Sequence, residues 1–411
     1  MTSLSHTEPV NKPLLWVLGL GTFAIGTDAF IVAGVLREIA DDFAVSGAAA
    51  GQLITLFAVS YAVFAPVSAW LLGGWGRRRS LLFALGVFAL GNIVSAAAPS
   101  FALLALSRII AAFGAASYTP QAVAVAAQLV PPERKGWALS IVYGGMTVAT
   151  ALGIPFGTLI GQTLGWRATF IGVVGLGLLT LAGLAVLLPA LAAPGIHTLR
   201  ERFAAVSRPA VLAPLGITFL AVLSEHTVYS YISLILADTL WDGLPVLPIA
   251  LVFFGIGAVA GNAASGYGSD RFGTRSVLIF AISAQTAALL GVSLVQPSPL
   301  LSCLVLLVWG MAGWMYLVPI QHRLLGLSKT YGSFTVSLNS SVLYLGIGGG
   351  GALGGLFITL FGPASLGFLG FALGLLALAL ALTAYEAGDR DQPPSPPLAN
   401  EPVPLSPAKD R

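Results

Sequence analysis

Apolar runs of membrane-spanning length recur along the chain from residue 13 to residue 386, separated by short connections rich in glycine, proline or arginine. A bilayer core of ~30 Å takes ~20 apolar residues as a helix, so each charge-poor run reads as one span. The pattern predicts helices near 13–36, 49–72, 80–98, 101–128, 137–163, 167–189, 210–233, 247–267, 276–295, 299–320, 335–360 and 364–386. Gly73-Gly74 and the prolines Pro131-Pro132, Pro297 and Pro363 punctuate them. The polar residues before the first run form no signal peptide, because that run is too long for an h-region and lacks a small-residue cleavage site. It is expected to be retained as the first span.

A glycine-plus-arginine loop occurs twice, as Gly76-Arg77-Arg78-Arg79 and as Asp270-Arg271-Phe272-Gly273-Thr274-Arg275, each after the second span of its half. The loop glycines differ by 273 − 76 = 197, so the chain reads as two copies of one unit, a recurrent design of transporters. The same offset carries Asp28 onto Glu225, and Gly153 and Gly157 onto Gly350 and Gly354. It fails at Arg108, which maps to Val305, and at Pro155, which maps to Ala352. The expected fold is all-α and integral to the membrane, with twelve transmembrane helices in two six-helix bundles related by pseudo-two-fold symmetry. The expected organisation is an N-terminal segment (1–12), a first bundle (13–189), a linker (190–209), a second bundle (210–386) and a disordered tail (387–411) rich in proline and polar residues.

Composition agrees with a chain that lives in lipid: 57% of 411 residues are hydrophobic, 9% are charged and the mean hydropathy is +0.91. The formal charge of +3 does not imply nucleic acid, because the cations sit in short clusters between spans. Arg77, Arg78, Arg79, Arg134, Lys135, Arg200, Arg202, Arg208, Arg271, Arg275, Arg323 and Lys329 fall on the side of the N-terminus, against Arg37 and Arg167 on the other. The positive-inside rule therefore predicts cytoplasmic N- and C-termini and a multi-pass protein of the cell inner (cytoplasmic) membrane. The lone Cys303 cannot form an intramolecular disulfide, and the four histidines show no ligand spacing, so neither a metal nor a cofactor is expected.

Asp28, Arg108 and Glu225 are ionisable residues inside spans. Left charged and unpaired, three such groups cost on the order of 8 to 10 kcal/mol on insertion scales. Asp28 and Glu225 each lie about fourteen residues into their helices, ~21 Å from one face, and Arg108 lies ~10 Å from the other. All three fall at nearly one depth, which points to proton coupling at a shared site. A cation favours a nearby carboxylate's charge while desolvation opposes it, so water access governs titration.

The loop Gly266, Asp270, Arg271, Gly273, Arg275 resembles the G-x-x-x-D-R-x-G-x-R signature of the major facilitator superfamily. Leu104 and Arg108 with Gly114 resemble its helix-four motif. Gly145, Gly153, Pro155, Gly157 and Gly161 are similar to the helix-five motif of proton-coupled antiporters, and Gly26-Thr27-Asp28-Ala29-Phe30 through Asp42 is like the helix-one signature of the twelve-helix drug:proton antiporter group. In the first loop the partners of Asp270 and Arg271 are Gly73 and Gly74, so the family's gating role carries to Gly76, Arg77 and Arg78 less securely than to the second loop. The arginines there also read as purely topological, and the helix-five glycines as ordinary packing residues whose Pro155 permits a bend.

The resemblance implies that helices one, four, seven and ten line a central cavity. There it places His226, Tyr229, Tyr231, Trp309, Trp314 and Tyr316, with Gln121, Tyr143 and Asn339 in reach of polar substrate atoms. The aromatics read equally as interfacial anchors, and the three polar residues as interhelical hydrogen-bond partners. The expected function is proton-coupled secondary transport without enzymatic activity: efflux of a small organic compound, such as an antibiotic or a sugar- or nucleoside-like metabolite, by a monomer. An uptake symporter is the nearest alternative and a non-transporting receptor with the same fold a remote one.

Overall fold

The computed structural model describes residues 12–72, 74–131, 134–189, 209–296, 298–326 and 332–389. Within them, twelve helices are long and apolar enough to cross a membrane. In chain order they are α1 (Lys12–Gly34), α2 (Gly47–Leu71), α3 (Arg77–Ala97), α4 (Phe101–Gln128), α5, α6 (Trp166–Leu187), α7 (Pro209–Tyr229), α8 (Leu247–Phe272), α9 (Thr274–Val295), α10 (Pro299–Met315), α11 (Gly332–Phe361) and α12 (Leu366–Asp389). The helix α5 is broken: Lys135–Val148 and Ile154–Leu164 flank a π-helical turn at Ala149–Gly153, and α10 continues through a second helix at Leu317–Gly326. The expected linker and tail, and residues 1–11, lie outside the described residues apart from short flanking stretches.

The duplication is visible in the turns. Gly165 (φ 88°) starts α6 and Gly362 (φ 77°) precedes α12, again 197 residues apart, and both adopt backbone conformations that L side chains resist. Ser100 and Ser298 cap α4 and α10, each side chain accepting from the amide three residues on at 3.4 Å. The loop glycines differ: Gly273 has φ 82°, whereas Gly76 sits at φ −61° in ordinary extended backbone.

Helix association in lipid has no hydrophobic drive between apolar faces, so small residues that let backbones meet carry the packing. A Cβ on Gly145 would fall 2.2 Å from the Gly19 carbonyl of α1, and Gly153, Gly157 and Gly161 meet Thr27, Ile31 and Val35 of the same helix or its extension. In the second half, Gly350 and Gly354 press α11 onto His226 and Thr227 of α7, as the 197-residue offset requires. The halves meet where α8 crosses the π turn, a Cβ on Gly255 falling 2.3 Å from Ala151 Cα. The π turn lies at this crossing and ends two residues before Pro155, the residue expected to permit a bend in this helix.

Further contacts between the halves gather toward the end remote from the N-terminus, here termed the far end. The α2 hydroxyl of Thr55 donates to Gly348 O of α11 at 3.2 Å, and Gln52 Nε2 lies 3.4 Å from Tyr231 Oη. Deeper in the same seam, well inside α2 and α11, Tyr61 stacks on Tyr344 with centroids 3.6 Å apart. Beyond α1 a short helix, Leu36–Asp42, reaches across, Arg37 donating to Ala237 O at 3.4 Å. Near it Arg167 donates to Asp42 at 2.7 Å and holds that carboxyl below its ordinary value of 3.8.

Candidate functional site

In α1, Gly26 and Thr27 occupy the side facing α5, Gly26 near Ala149 and Thr27 against Gly153. This close seat buries Asp28 completely, and Arg108 of α4 is likewise fully buried. Arg108 NH1 donates to Asp28 Oδ1 at 2.6 Å while NH2 donates to the Asp28 backbone carbonyl at 3.0 Å. The guanidinium also lies 4.6 Å from the Phe57 ring centroid and 5.5 Å from that of Phe170. Two bonds and two aromatic faces compensate a buried charge far better than the ion contact alone.

Compensation is unequal on the two partners. Asp28 Oδ2 and Arg108 Nε have no hydrogen-bond partner, and neither does Oδ1 of Asn92, an α3 amide beside the Asp28 carboxyl. Oδ1 of the carboxylate is thus bonded to Arg108 and Oδ2 is not, while the Asn92 side chain interacts with the same carboxyl. The Asn92 amide donates to Phe88 O at 3.0 Å, which fixes its orientation.

Glu225 of α7 does not join this pair. It is 8% exposed, and its Oε1 lies 3.2 Å from where a Cβ on Gly313 of α10 would stand. Gln285 Oε1 lies 3.5 Å from the same point, while the Gln285 amide nitrogen donates to Ala221 O at 2.9 Å. Ala221 O can only accept, so the amide is oriented with its oxygen toward the Glu225 side. This corner of the second half therefore presents acceptors, with no cation at the position matching Arg108.

Aromatic rings join the two regions. Phe30, two residues after Asp28, has its ring 5.9 Å from His226 and 6.1 Å from Tyr229. Tyr229 in turn contacts Phe254 at 5.3 Å and Trp309 at 6.0 Å. His226 Nε2, Tyr229 Oη and Trp309 Nε1 are buried without hydrogen-bond partners. His226 Nδ1 is 3.2 Å from Val222 O, so it faces its own helix rather than Glu225.

Other sequence candidates fall elsewhere. Tyr231 is fully buried in the far-end seam, donating to Gly351 O at 2.7 Å. Asn339 accepts from Thr218 at 2.7 Å, an α7–α11 bond. Tyr143 is 44% exposed and neighbours Tyr61, whereas Gln121 and Trp314 are half-buried. Arg78 donates to Ala185 O in the last turn of α6 at 2.5 Å, a C-terminal cap in keeping with the helix dipole. Arg271 donates to Tyr267 at 2.8 Å, Arg77 is half-buried, Arg275 sits in the first turn of α9, and Gly266 has open space around it. The side chain of Asp270 lies outside the described residues. Among the described residues no cluster of His, Cys, Asp or Glu suits a metal ion.

Sequence reasoning missed Asn92, Phe57, Phe170, Phe254, Tyr61, Tyr344 and Gln285, and met Phe30 only as part of the helix-one signature. Asn92 and Gln285 carried a signal, each an amide inside an apolar span; the phenylalanines carried none.

Twelve spans in two repeated bundles that meet at one end, with a fully buried ion pair inside the first bundle, define a secondary-transporter architecture. The sequence profile of the Major Facilitator Superfamily matches residues 18–331, and the chain belongs to that family. It is 32% identical over 393 residues to the inner membrane transport protein YdhP of Escherichia coli K12, covering 95% of this chain and 99% of that one. It is 36% identical over 261 residues to a chloramphenicol resistance protein of Streptomyces lividans, covering 62% and 67% respectively. A bacterial homologue of the human lysosomal transporter Spinster has the same fold, with a TM-score of 0.72 at 19% identity over 95% of this chain and 100% of that one.

Proposed function

We propose that this protein exports a small organic compound across the inner membrane in exchange for protons, with both termini in the cytoplasm and the far end facing outward. The observation that carries the reading is the Asp28–Arg108 pair, fully buried with one carboxylate oxygen bonded and the other unpartnered. Asp28 Oδ2, which Arg108 does not engage, can take either a proton or a donor group of the cargo, and a proton on Asp28 also weakens its hold on Arg108. Protonation and cargo binding thus exclude one another at the junction of α1 and α4. Glu225 is the second coupling carboxylate, and the aromatic group of Phe30, His226, Tyr229, Phe254 and Trp309 supplies flat apolar surface for the cargo. Alternating access follows from rocking of the halves about the α5–α8 crossing, with Asp270 and Arg271 latching the opposite end.

Similarity to the Escherichia coli inner membrane transport protein supports transport, and similarity to the Streptomyces lividans chloramphenicol resistance protein supports the outward direction. The test uses purified monomer in proteoliposomes with an imposed pH gradient and radiolabelled chloramphenicol, a sugar and a nucleoside. Gradient-driven movement of one cargo, with its pH dependence lost in Asp28→Asn, is expected. Transport by Asp28→Asn with unaltered pH dependence sinks the assignment of Asp28, and cargo moving down the proton gradient identifies a symporter instead.

A further inference from the structure

A cavity of about 310 Å³ lies between the halves at the far end, outside the spans that hold Asp28 and Glu225. One wall comes from the short helix Leu36–Asp42 and the end of α5, through Arg37, Glu38, Asp41 and Gln162; the opposite wall includes Ser233, Leu236 and Ala237. The two walls present orphaned polar atoms: Glu38 Oε2, and the hydroxyl of Ser233, a residue only 4% exposed. Buried polar atoms without partners are rare and call for an explanation.

We propose that Glu38 is a proton-binding site separate from the midplane carboxylates, and that its protonation holds the far-end gate shut while its ionisation releases it. The inference rests on the alternating-access reading above. With the gate shut, Glu38 is packed between two walls; with the halves apart, the same carboxyl faces water. A neutral carboxyl tolerates the packed state and supplies a donor there, whereas an anion gains by hydration when the walls part.

The surrounding charges do not remove this preference. Arg37 and Asp41, on the same helix, are 3.9 Å apart and largely offset each other, while Arg37 also reaches Ala237 O. Gln162 of α5 is neutral, and the wall formed by Ser233, Leu236, Ala237, Pro245 and Leu247 carries no charge; Asp238 follows it. Asp42 is engaged by Arg167. Burial accordingly raises the Glu38 carboxyl above its ordinary 4.5, with a smaller push the same way from Asp41 and smaller opposing effects from its backbone amide, Arg37 and a hydrogen bond with the Gln162 side chain. The sign follows: the closed gate binds the proton more tightly, so acid favours closure and alkali favours opening, by about tenfold for each pH unit by which the two affinities differ. On an exporter whose protons enter from outside, proton capture at the open gate then promotes the return to the closed state.

Spin labels at Ser46→Cys and Asp238→Cys, exposed positions on opposite halves, report the gate by electron–electron distance measurement in nanodiscs. Cys303→Ser removes the native thiol, and Asp28→Asn with Glu225→Gln silences the midplane. No substrate or gradient is present, so a failure of transport does not bear on the result. The open-to-closed ratio is expected to rise at least several-fold between pH 5 and pH 8. Glu38→Gln should stay closed across that range, and Glu38→Asp should keep a pH response. An unchanged response in Glu38→Gln, or none in the parent, overturns the proposal.

Discussion

Replacing Arg108 by methionine tests the buried pair most directly. Arg108→Met keeps much of the stem but leaves Asp28 fully buried without its cation, having lost the 2.6 Å and 3.0 Å bonds. A buried carboxylate in that position takes up a proton rather than remain charged. For an aspartate of ordinary pKa near 3.9, binding a proton at pH 7 costs about 4 kcal/mol, and at pH 5 about 1.5 kcal/mol. The expected loss is therefore roughly 4 kcal/mol at pH 7, within the range of about 3 to 5 kcal/mol for breaking a buried pair. Lost contact with Phe57 and Phe170 adds a part independent of pH. Apparent melting temperature in detergent, read at pH 5 and pH 7 for Arg108→Met, Asp28→Asn and the double variant, separates the two. The Arg108→Met deficit should shrink on acidification and be largely relieved by adding Asp28→Asn. An equal deficit at both pH values, unrelieved in the double variant, refutes the reasoning.

Adjacent glycines in α5 make a matched pair: Gly145→Ala drives a methyl into the Gly19 carbonyl and should cost about 1 to 3 kcal/mol, whereas Gly144→Ala meets open space and should be near neutral by the same melting assay. The duplicated loop glycines should separate likewise, Gly273→Ala costing about 1 to 3 kcal/mol because of its φ of 82° and Gly76→Ala within about 0.5 kcal/mol, measured as expression and thermal stability. Asp42→Asn should lower stability slightly above pH ~4, where the depressed carboxyl is ionised, and the difference from wild type should vanish as pH falls below that; melting curves from pH 3 to pH 7 check it.

Helix count and approximate span positions were legible because a bilayer permits few alternatives to an apolar helix of fixed length. The predicted and observed helix starts differ mainly where polar residues continue the backbone helix beyond the apolar run, as in α3, which begins at Arg77 rather than near residue 80. The coincidence of Asp28 and Glu225 under the 197-residue offset was legible as well, and so was the depth shared with Arg108. What failed to read out was the partnership. Equal depth left two carboxylates eligible for one cation, and the geometry joins Arg108 to Asp28 alone among the described residues, because α4 packs beside α1 in the first half.

Side chains on one helix turn through about 100° per residue, so neighbours in sequence take different environments. Where the helix ends the environment changes again: Tyr229, the last residue of α7, enters the aromatic group that links the halves, whereas Tyr231, in the turn beyond it, closes the far-end seam. Nothing in their order distinguishes them. Gly144 and Gly145 differ through rotation along one helix, one facing open space and the other the α1 backbone.

The residues by themselves determined that this chain spans a membrane twelve times in two related halves, because apolar length and a repeated loop are one-dimensional properties. Only the tertiary structure decided which charges pair, which glycines carry helix contacts and that Glu38 stands in a cavity between the halves. Those outcomes depend on rotation and proximity between helices far apart in sequence, and a pattern of hydrophobic runs carries neither.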